Sequence, residues 1–107
     1  MICNLPEKLV RDRIPDIIRD SGNEPMVRVA SEEERDLLIR EKIVEESREL
    51  LTSGSLEEVA DIIEAILGLL SYRSVTWSEI EELRLKKKEE RGGFDEGFVL
   101  SMNGPEL

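Results

Sequence analysis

The hydrophobic residues of this chain recur mostly at intervals of three to four positions, which is the period of an amphipathic α-helix. Four such stretches, separated by short polar connections, predict helices at about residues 14–20, 32–51, 55–72 and 76–91. Ser31 with Glu34, and Thr76 with Glu79, have the spacing of a capping box, and glycines follow the second and fourth stretches. Because short loops make consecutive helices antiparallel neighbours, we expect an all-α antiparallel bundle of four helices, one of them short, in a single domain.

Two further segments have a different character. Residues 25–29 alternate apolar and polar side chains, as an extended segment does, and they are too few to tell a lone strand from a packed arm. Residues 94–100 follow the glycine stop of the last helix and are expected to form an extended tail that packs against or pairs with the region of Val27. The bundle should therefore carry short extended segments near its termini.

The third helix is more hydrophobic than one layer of a chain of 107 residues requires. Its apolar residues cover about half of the helix circumference. They are Leu56, Val59, Ile62, Ile63, Ile66, Leu67, Leu69 and Leu70. A central helix in a monomeric bundle would show the same pattern, but so wide a face favours burial against a second copy. We expect a homodimer or homotetramer in which dimerisation completes the bundle.

A doubled acidic pattern lies at the edge of these apolar faces. Glu46-x-x-Glu49 is on the second helix and Glu58-x-x-Asp61 is on the third. Residues three apart share a helix face, so each pair should project two carboxylates in one direction. Antiparallel packing would bring the pairs together, and carboxylates that close need a cation. An all-oxygen set of this kind suits Mg²⁺, with Mn²⁺ as an alternative.

Composition narrows the chemistry. The formal charge of −10 argues against binding to nucleic acid. The chain has no histidine, so neither a Ser-His-Asp triad nor a histidine-ligated zinc site can form. Cys3 is the only cysteine, which suits a reducing compartment. With no signal peptide and no apolar run long enough to cross a bilayer, the sequence predicts a cytoplasmic protein without membrane contact.

Basic residues replace apolar ones along one stripe of the fourth helix, at Arg84, Lys87 and Arg91. One interpretation is a set of cations that grips phosphate oxygens next to a metal ion. The other is that lysine and arginine favour helix C-termini and extend along the surface. The residues alone leave both open.

The doubled acidic pattern, with Glu45 beside it, resembles the signature of the MazG-like all-α nucleoside triphosphate pyrophosphatases. The opening Lys8-Leu9-Val10-Arg11-Asp12-Arg13-Ile14-Pro15 and the closing Glu90-Arg91-Gly92-Gly93-Phe94 are similar to a compact subgroup labelled phosphoribosyl-ATP pyrophosphohydrolase-like. The resemblance covers about residues 8–100.

This resemblance implies a helical dimer or tetramer that needs Mg²⁺ and cleaves a nucleotide between its α- and β-phosphates. By position, Glu46, Glu49, Glu58 and Asp61 match the metal ligands. Glu45 or Glu49 would accept the proton of the attacking water. The leaving pyrophosphate would meet basic side chains: Arg84, Lys87 and Arg91, with Arg11 or Arg13.

Two other functions stay open at this stage. Within the same enzyme class, the substrate could be phosphoribosyl-ATP, as in histidine biosynthesis. Outside it, the chain could be a non-catalytic acidic helical module that mediates assembly or binds a nucleotide without cleaving it.

Overall fold

The structure is a computed structural model that describes residues 7–103. Cys3 lies outside these residues. Four helices follow one another: α1 (Ile14–Asp20), α2 (Glu32–Ser53), α3 (Leu56–Tyr72) and α4 (Trp77–Arg91). No β-strand occurs between residues 7 and 103. The predicted all-helical class, with four helices of which the first is short, is confirmed.

Local hydrogen bonds explain where the helices begin and end. The backbone N–H of Ser31 donates to Glu34 Oε2 at 2.9 Å, and that of Thr76 donates to Glu79 Oε2 at 2.7 Å, as the capping-box spacing predicts. The second helix extends two residues beyond its predicted end. Gly54 then adopts a left-handed φ of 66°, and its N–H donates to the Leu50 carbonyl at 2.8 Å.

The chain divides into two compact units, Met1–Val75 and Thr76–Leu107. In the first, α2 and α3 pack against each other as an antiparallel hairpin. Asp36 near the start of α2 contacts Arg73 just after α3, and Ser53 at the end of α2 contacts Glu58 at the start of α3. The second unit contains α4 and the segment that follows it.

The core of the first unit lies along the seam between α2 and α3. Ile39, Ala65 and Leu70 are its buried hydrophobic residues within the described chain. Gly68 allows a close approach here, because a Cβ at that position would lie 3.1 Å from Ile39 Cδ1. The bundle arrangement of all four helices, its completion by dimerisation and its status as one domain stay predictions.

Neither of the two segments expected to be extended forms a strand, and the expected extended tail at residues 94–100 is interrupted. Its packing against the region of Val27 stays a prediction. Residues 25–29 and 94–100 contain no strand, and residues 94–97 form a turn in which the Gly97 N–H donates to the Phe94 carbonyl at 3.2 Å. Gly97 has a φ of 65°, which favours glycine and interrupts an extended chain. Near residue 27 the chain is held by side chains instead, since Arg28 contacts both Glu7 and Glu34.

Among the described residues, no helix combines the length and the hydrophobicity needed to cross a bilayer.

Candidate metal centre

Five carboxylates of the first unit gather toward the turn that joins α2 to α3. We call them the acidic cluster: Glu45, Glu46 and Glu49 on α2, and Glu58 and Asp61 on α3. Glu46 belongs to two sets of three in which one oxygen from each residue lies within 4.8 Å of the others. The first set adds Glu45 and Glu49, and the second adds Glu58 and Asp61. Glu46 thus meets the acidic pair of α3, as expected, while Glu49 is grouped with Glu46 in the other set. A single ion held by all four predicted ligands stays a prediction.

Glu46 is the buried centre of the cluster. Its residue surface is only 7% exposed, and its Oε2 atom has no hydrogen-bond partner. Its Oε1 atom lies 3.4 Å from Nζ of Lys42, one helical turn earlier. Burial raises the pKa of Glu46; Lys42 lowers it and the charge of Glu49 raises it further, so the pKa lies above its usual value. A buried carboxylate oxygen without a donor is costly unless something positive occupies the space beside it.

Lys42 compensates part of the negative charge from within α2. Its side chain is only 18% exposed, and Nζ lies 2.9 Å from Glu45 Oε2. Partial burial lowers the pKa of Lys42, but its contacts with Glu45 and Glu46 outweigh that effect and raise it. For Glu45, partial burial raises the pKa, and the ammonium groups of Lys42 and Lys8 bring it below its usual value. Glu45 is therefore held as a carboxylate.

The segment before α1 also reaches the cluster. Arg11 Nη2 donates to Asp61 Oδ1 at 2.7 Å, and Lys8 Nζ lies 3.4 Å from Glu45 Oε1. Arg11 therefore lies beside the acidic cluster, as a substrate-binding residue would. Its observed partner is the Asp61 carboxylate, and contact with a phosphate stays a prediction. Arg13 is exposed at the N-cap of α1, where its carbonyl accepts the Ile17 N–H.

A shallow depression of about 340 Å³ opens beside the cluster at the turn between α2 and α3. Glu49 and Glu58 belong to the acidic cluster and also line the depression, so the depression adjoins the cluster. Thr52, Ser53 and Arg48 complete its lining. The Ser53 hydroxyl donates to Glu58 Oε1 at 3.3 Å and so orients that carboxylate.

The predicted basic residues of the second unit are all exposed on α4. Arg84 donates to both oxygens of Glu81, at 2.8 and 2.6 Å, and this contact holds the pKa of Glu81 below its usual value. Lys87 and Arg91 lie in the following turns, Arg91 in the last turn. A phosphate-binding role for these three stays a prediction.

Sequence reasoning missed three residues of the site. Lys42 stands three and four positions before Glu45 and Glu46, a spacing that predicts contact on a helix and could have revealed it. Ser53 lies in the predicted loop, where its contact with Glu58 depends on the course of the turn. Lys8 contacts a residue 37 positions away, and no local pattern indicates such a pair.

The donor set fits a hard divalent cation. All five members of the cluster offer carboxylate oxygens, the ligands that Mg²⁺ and Mn²⁺ prefer, and a buried oxygen of Glu46 lacks a donor. The burial of the cluster falls outward from Glu46 through half-buried Glu58 and Asp61 to exposed Glu49. A cation bound there would be anchored on one side and accessible on the other.

Comparisons of the chain with protein-family models, with curated proteins and with solved structures give no match. The resemblance drawn from the motifs stays a prediction.

Proposed function

We propose that this protein is a Mg²⁺-dependent nucleotide pyrophosphohydrolase that cleaves between the α- and β-phosphates and releases a nucleoside monophosphate and pyrophosphate. The observation that supports it best is the partnerless Oε2 of buried Glu46 at the junction of the two carboxylate sets. An exposed ion pair would not leave a buried oxygen unpaired, whereas a bound cation would offset the cost of burying it. Mn²⁺ is the expected substitute.

Glu46, Glu58 and Asp61 are the residues that would hold the ion, with Glu49 adding a ligand through its proximity to Glu46. When bound, Mg²⁺ supplies positive charge against the phosphate oxygens and makes a water molecule more acidic. Ser53 keeps Glu58 in position from the turn. The depression beside Glu49 and Glu58 is the space in which we place the nucleotide.

Glu49 is the better general base of the two candidates. Glu45 is already engaged by Lys42 at 2.9 Å and by Lys8 at 3.4 Å, and its pKa is lowered. A carboxylate that is stabilised as an anion accepts a proton poorly. Glu49 is exposed at the open side of the cluster, where an attacking water can approach. Glu45 then serves chiefly to hold Lys42 and Lys8 beside the site.

The direct test is to incubate the purified chain with Mg²⁺ and a panel of nucleoside triphosphates together with phosphoribosyl-ATP, and to resolve the products. Pyrophosphate and a monophosphate from several triphosphates would support the proposal. Turnover of phosphoribosyl-ATP alone would assign the protein to that single reaction. If calorimetry detected nucleotide binding in the presence of Mg²⁺ but no substrate were cleaved, the protein would be a non-catalytic binding module.

We also propose that a second copy of the chain covers exposed apolar surface of the hairpin, where each helix carries its own stripe. On α3, four large apolar side chains spaced three or four residues apart are at least one-third exposed: Leu56, Val59, Ile63 and Leu67. On α2, Leu37, Val44 and Leu51 repeat every seven residues and are also exposed. Such stripes are typical of helices that pair with further helices.

Replacing Ile63 with glutamate in the middle of this stripe should convert a dimer or tetramer to monomer, because a charge would be buried in the interface. Sedimentation measures the change. Glu64→Gln, at the neighbouring exposed position, is the control and should leave the mass unchanged. A wild-type chain that sediments as a monomer at high concentration would contradict the proposal.

A further inference from the structure

Two basic side chains of the segment before α1 contact the acidic cluster from outside the hairpin. Arg11 donates to Asp61 Oδ1 at 2.7 Å, and Lys8 lies 3.4 Å from Glu45 Oε1. The contacts span 50 and 37 positions of the chain, so they form only when the segment folds over α2 and α3. The carboxylate that Arg11 engages, Asp61, is also one of the two that form a set of three with Glu46.

These contacts differ from that of Lys42 in how firmly they are held. Lys42 is 18% exposed and reaches its partners from the adjacent turn of the same helix. The Arg11 side chain is 53% exposed and that of Lys8 is 66% exposed. Exposed ion pairs contribute little to stability, since water solvates both partners once they separate. Lys42 is therefore a permanent part of the site, whereas the contact of Arg11 can be exchanged.

The backbone around Arg11 is fixed independently of its side chain. Its carbonyl accepts the Ile14 N–H at 3.0 Å, and the carbonyl of Arg13 accepts the Ile17 N–H at 3.0 Å. These bonds tie the segment to the first turn of α1. The guanidinium can thus leave Asp61 by rotation of the side chain alone, without release of the segment.

We propose that Arg11 is an exchangeable counter-ion, which neutralises Asp61 until a divalent cation binds and then turns to a phosphate group of the nucleotide. The proposal rests on the proposed function, because that function supplies the phosphate. Asp61 cannot serve both positive groups equally well, since a guanidinium beside a divalent cation is repelled. The guanidinium fork matches phosphate oxygens as well as it matches a carboxylate, so its hydrogen bonds are replaced and not lost.

If Arg11 exchanges partners in this way, Arg11→Gln should change the affinities for Mg²⁺ and for pyrophosphate in opposite directions. Mg²⁺ alone should bind about fivefold more tightly, because the positive charge that competes with it for Asp61 has been removed. Inorganic pyrophosphate, added in saturating Mg²⁺, should bind roughly tenfold more weakly, because a charged hydrogen bond to phosphate is missing. Titration calorimetry measures both affinities. Pyrophosphate has no nucleobase, so its affinity reports contacts with phosphate alone.

Arg19→Gln is the matched control. It removes the same charge from the same unit, but Arg19 pairs with Asp16 and Glu24 and not with the cluster. Both affinities should stay at the wild-type values. An equal shift in this variant would mean that net charge alone is responsible and would overturn the proposal.

The remaining outcomes separate the exchange from the function on which it rests. If Arg11→Gln weakened Mg²⁺ binding, Arg11 would be orienting Asp61 as a ligand, and exchange would be wrong. Unchanged affinities would overturn it equally. If instead the wild-type chain bound no Mg²⁺, or bound it as well after Glu46→Gln, the metal site and the proposed function would fail together.

Discussion

The same acidic spacing occurs on α2 and on α4, with different results. On α4, Glu79 and Glu82 are three residues apart, as Glu46 and Glu49 are on α2. Glu79 is used locally, since its Oε2 accepts the N–H of Thr76 at 2.7 Å, and Glu82 is exposed. Glu46 is 7% exposed, and one of its oxygens has no hydrogen-bond partner. An acidic pair three residues apart is thus a cap in one unit and a candidate cation site in the other.

The difference lies in what the neighbouring helix supplies. On α2 the acidic pair borders a hydrophobic seam, and α3 adds Glu58 and Asp61 from the other side. Burial removes water from Glu46, and this loss of hydration raises its pKa. Helix α4 has no buried residue, so its carboxylates keep their water or their local partners. Spacing indicates a site only when a second element brings its own ligands to a desolvated position.

The largest effect is expected for Glu46→Gln, compared with Glu82→Gln on α4. Removing the shared carboxylate should weaken Mg²⁺ binding at least about 100-fold. Loss of a residue that only supports a metal ligand costs up to about 100-fold, and loss of the ligand itself should cost no less. Titration calorimetry measures it. Since burial raises the pKa of Glu46, the neutral amide should leave the hairpin folded and no less stable at neutral pH.

Glu82→Gln makes the same change in the same spacing and should leave the Mg²⁺ affinity at the wild-type value. If both variants lost affinity equally, Mg²⁺ would be attracted by the overall negative charge and not held by particular ligands. The distinction drawn between α2 and α4 would then be wrong.

A second difference concerns packing, and it can be tested with one leucine in each unit. Leu70→Ala on α3 should lower the free energy of unfolding by about 2–5 kcal/mol, because it empties a site that is only 7% exposed. Leu85 on α4 is 49% exposed, and its replacement by alanine should cost about 1 kcal/mol or less. Urea denaturation measures both, and equal losses would show that α4 is as well packed as the hairpin.

Local capping should matter for α4, because this helix buries none of its residues. In Thr76→Ala the Glu79 N–H loses its acceptor, and stability should fall by about 1 kcal/mol. Amide hydrogen exchange should show faster opening of the first turn of α4. Ser78→Ala, at an exposed position of that turn, is the control and should leave the exchange rates nearly unchanged.

The smallest effect concerns pH and an exposed ion pair of the hairpin. Hydrogen bonds from Arg73 at 2.6 and 2.9 Å, helped by Arg40, lower the pKa of Asp36 to about 2. A lowered carboxylate pKa stabilises the fold above the unfolded-state pKa, and this contribution is lost as the pH falls from about 4 to 2. Wild type should therefore lose more stability than Asp36→Asn across this window, as measured by urea midpoints.

High salt should reduce that difference, since both partners are partly exposed. An identical pH dependence of the two proteins would mean that the contact between Asp36 and Arg73 contributes nothing to the stability of the hairpin.

Much of the secondary structure could be predicted from the sequence, because the signals are local. The spacing of Ser31 and Glu34 marks the start of α2. Gly54 follows its last residue, and the predicted end of the helix is two residues too early. The acidic cluster could also be predicted in part, since its four main carboxylates follow helical spacing on adjacent helices. The depth of Glu46 could not, because the pattern placed it at the edge of the apolar face, whereas the packing of α3 buries it.

The sequence by itself determined four helices, their caps and the faces on which the acidic residues lie, because hydrogen bonds and periodicity within a few residues decide these features. Only the tertiary structure decided which carboxylate lost its water and which cations reach the acidic cluster from outside the hairpin. Arg11 and Asp61 are 50 positions apart in the chain. The candidate site at Glu46 includes Glu58 and Asp61, which come from α3. Contacts between distant parts of the chain depend on how the helices pack, and the strength of a charge depends on the solvent that this packing excludes.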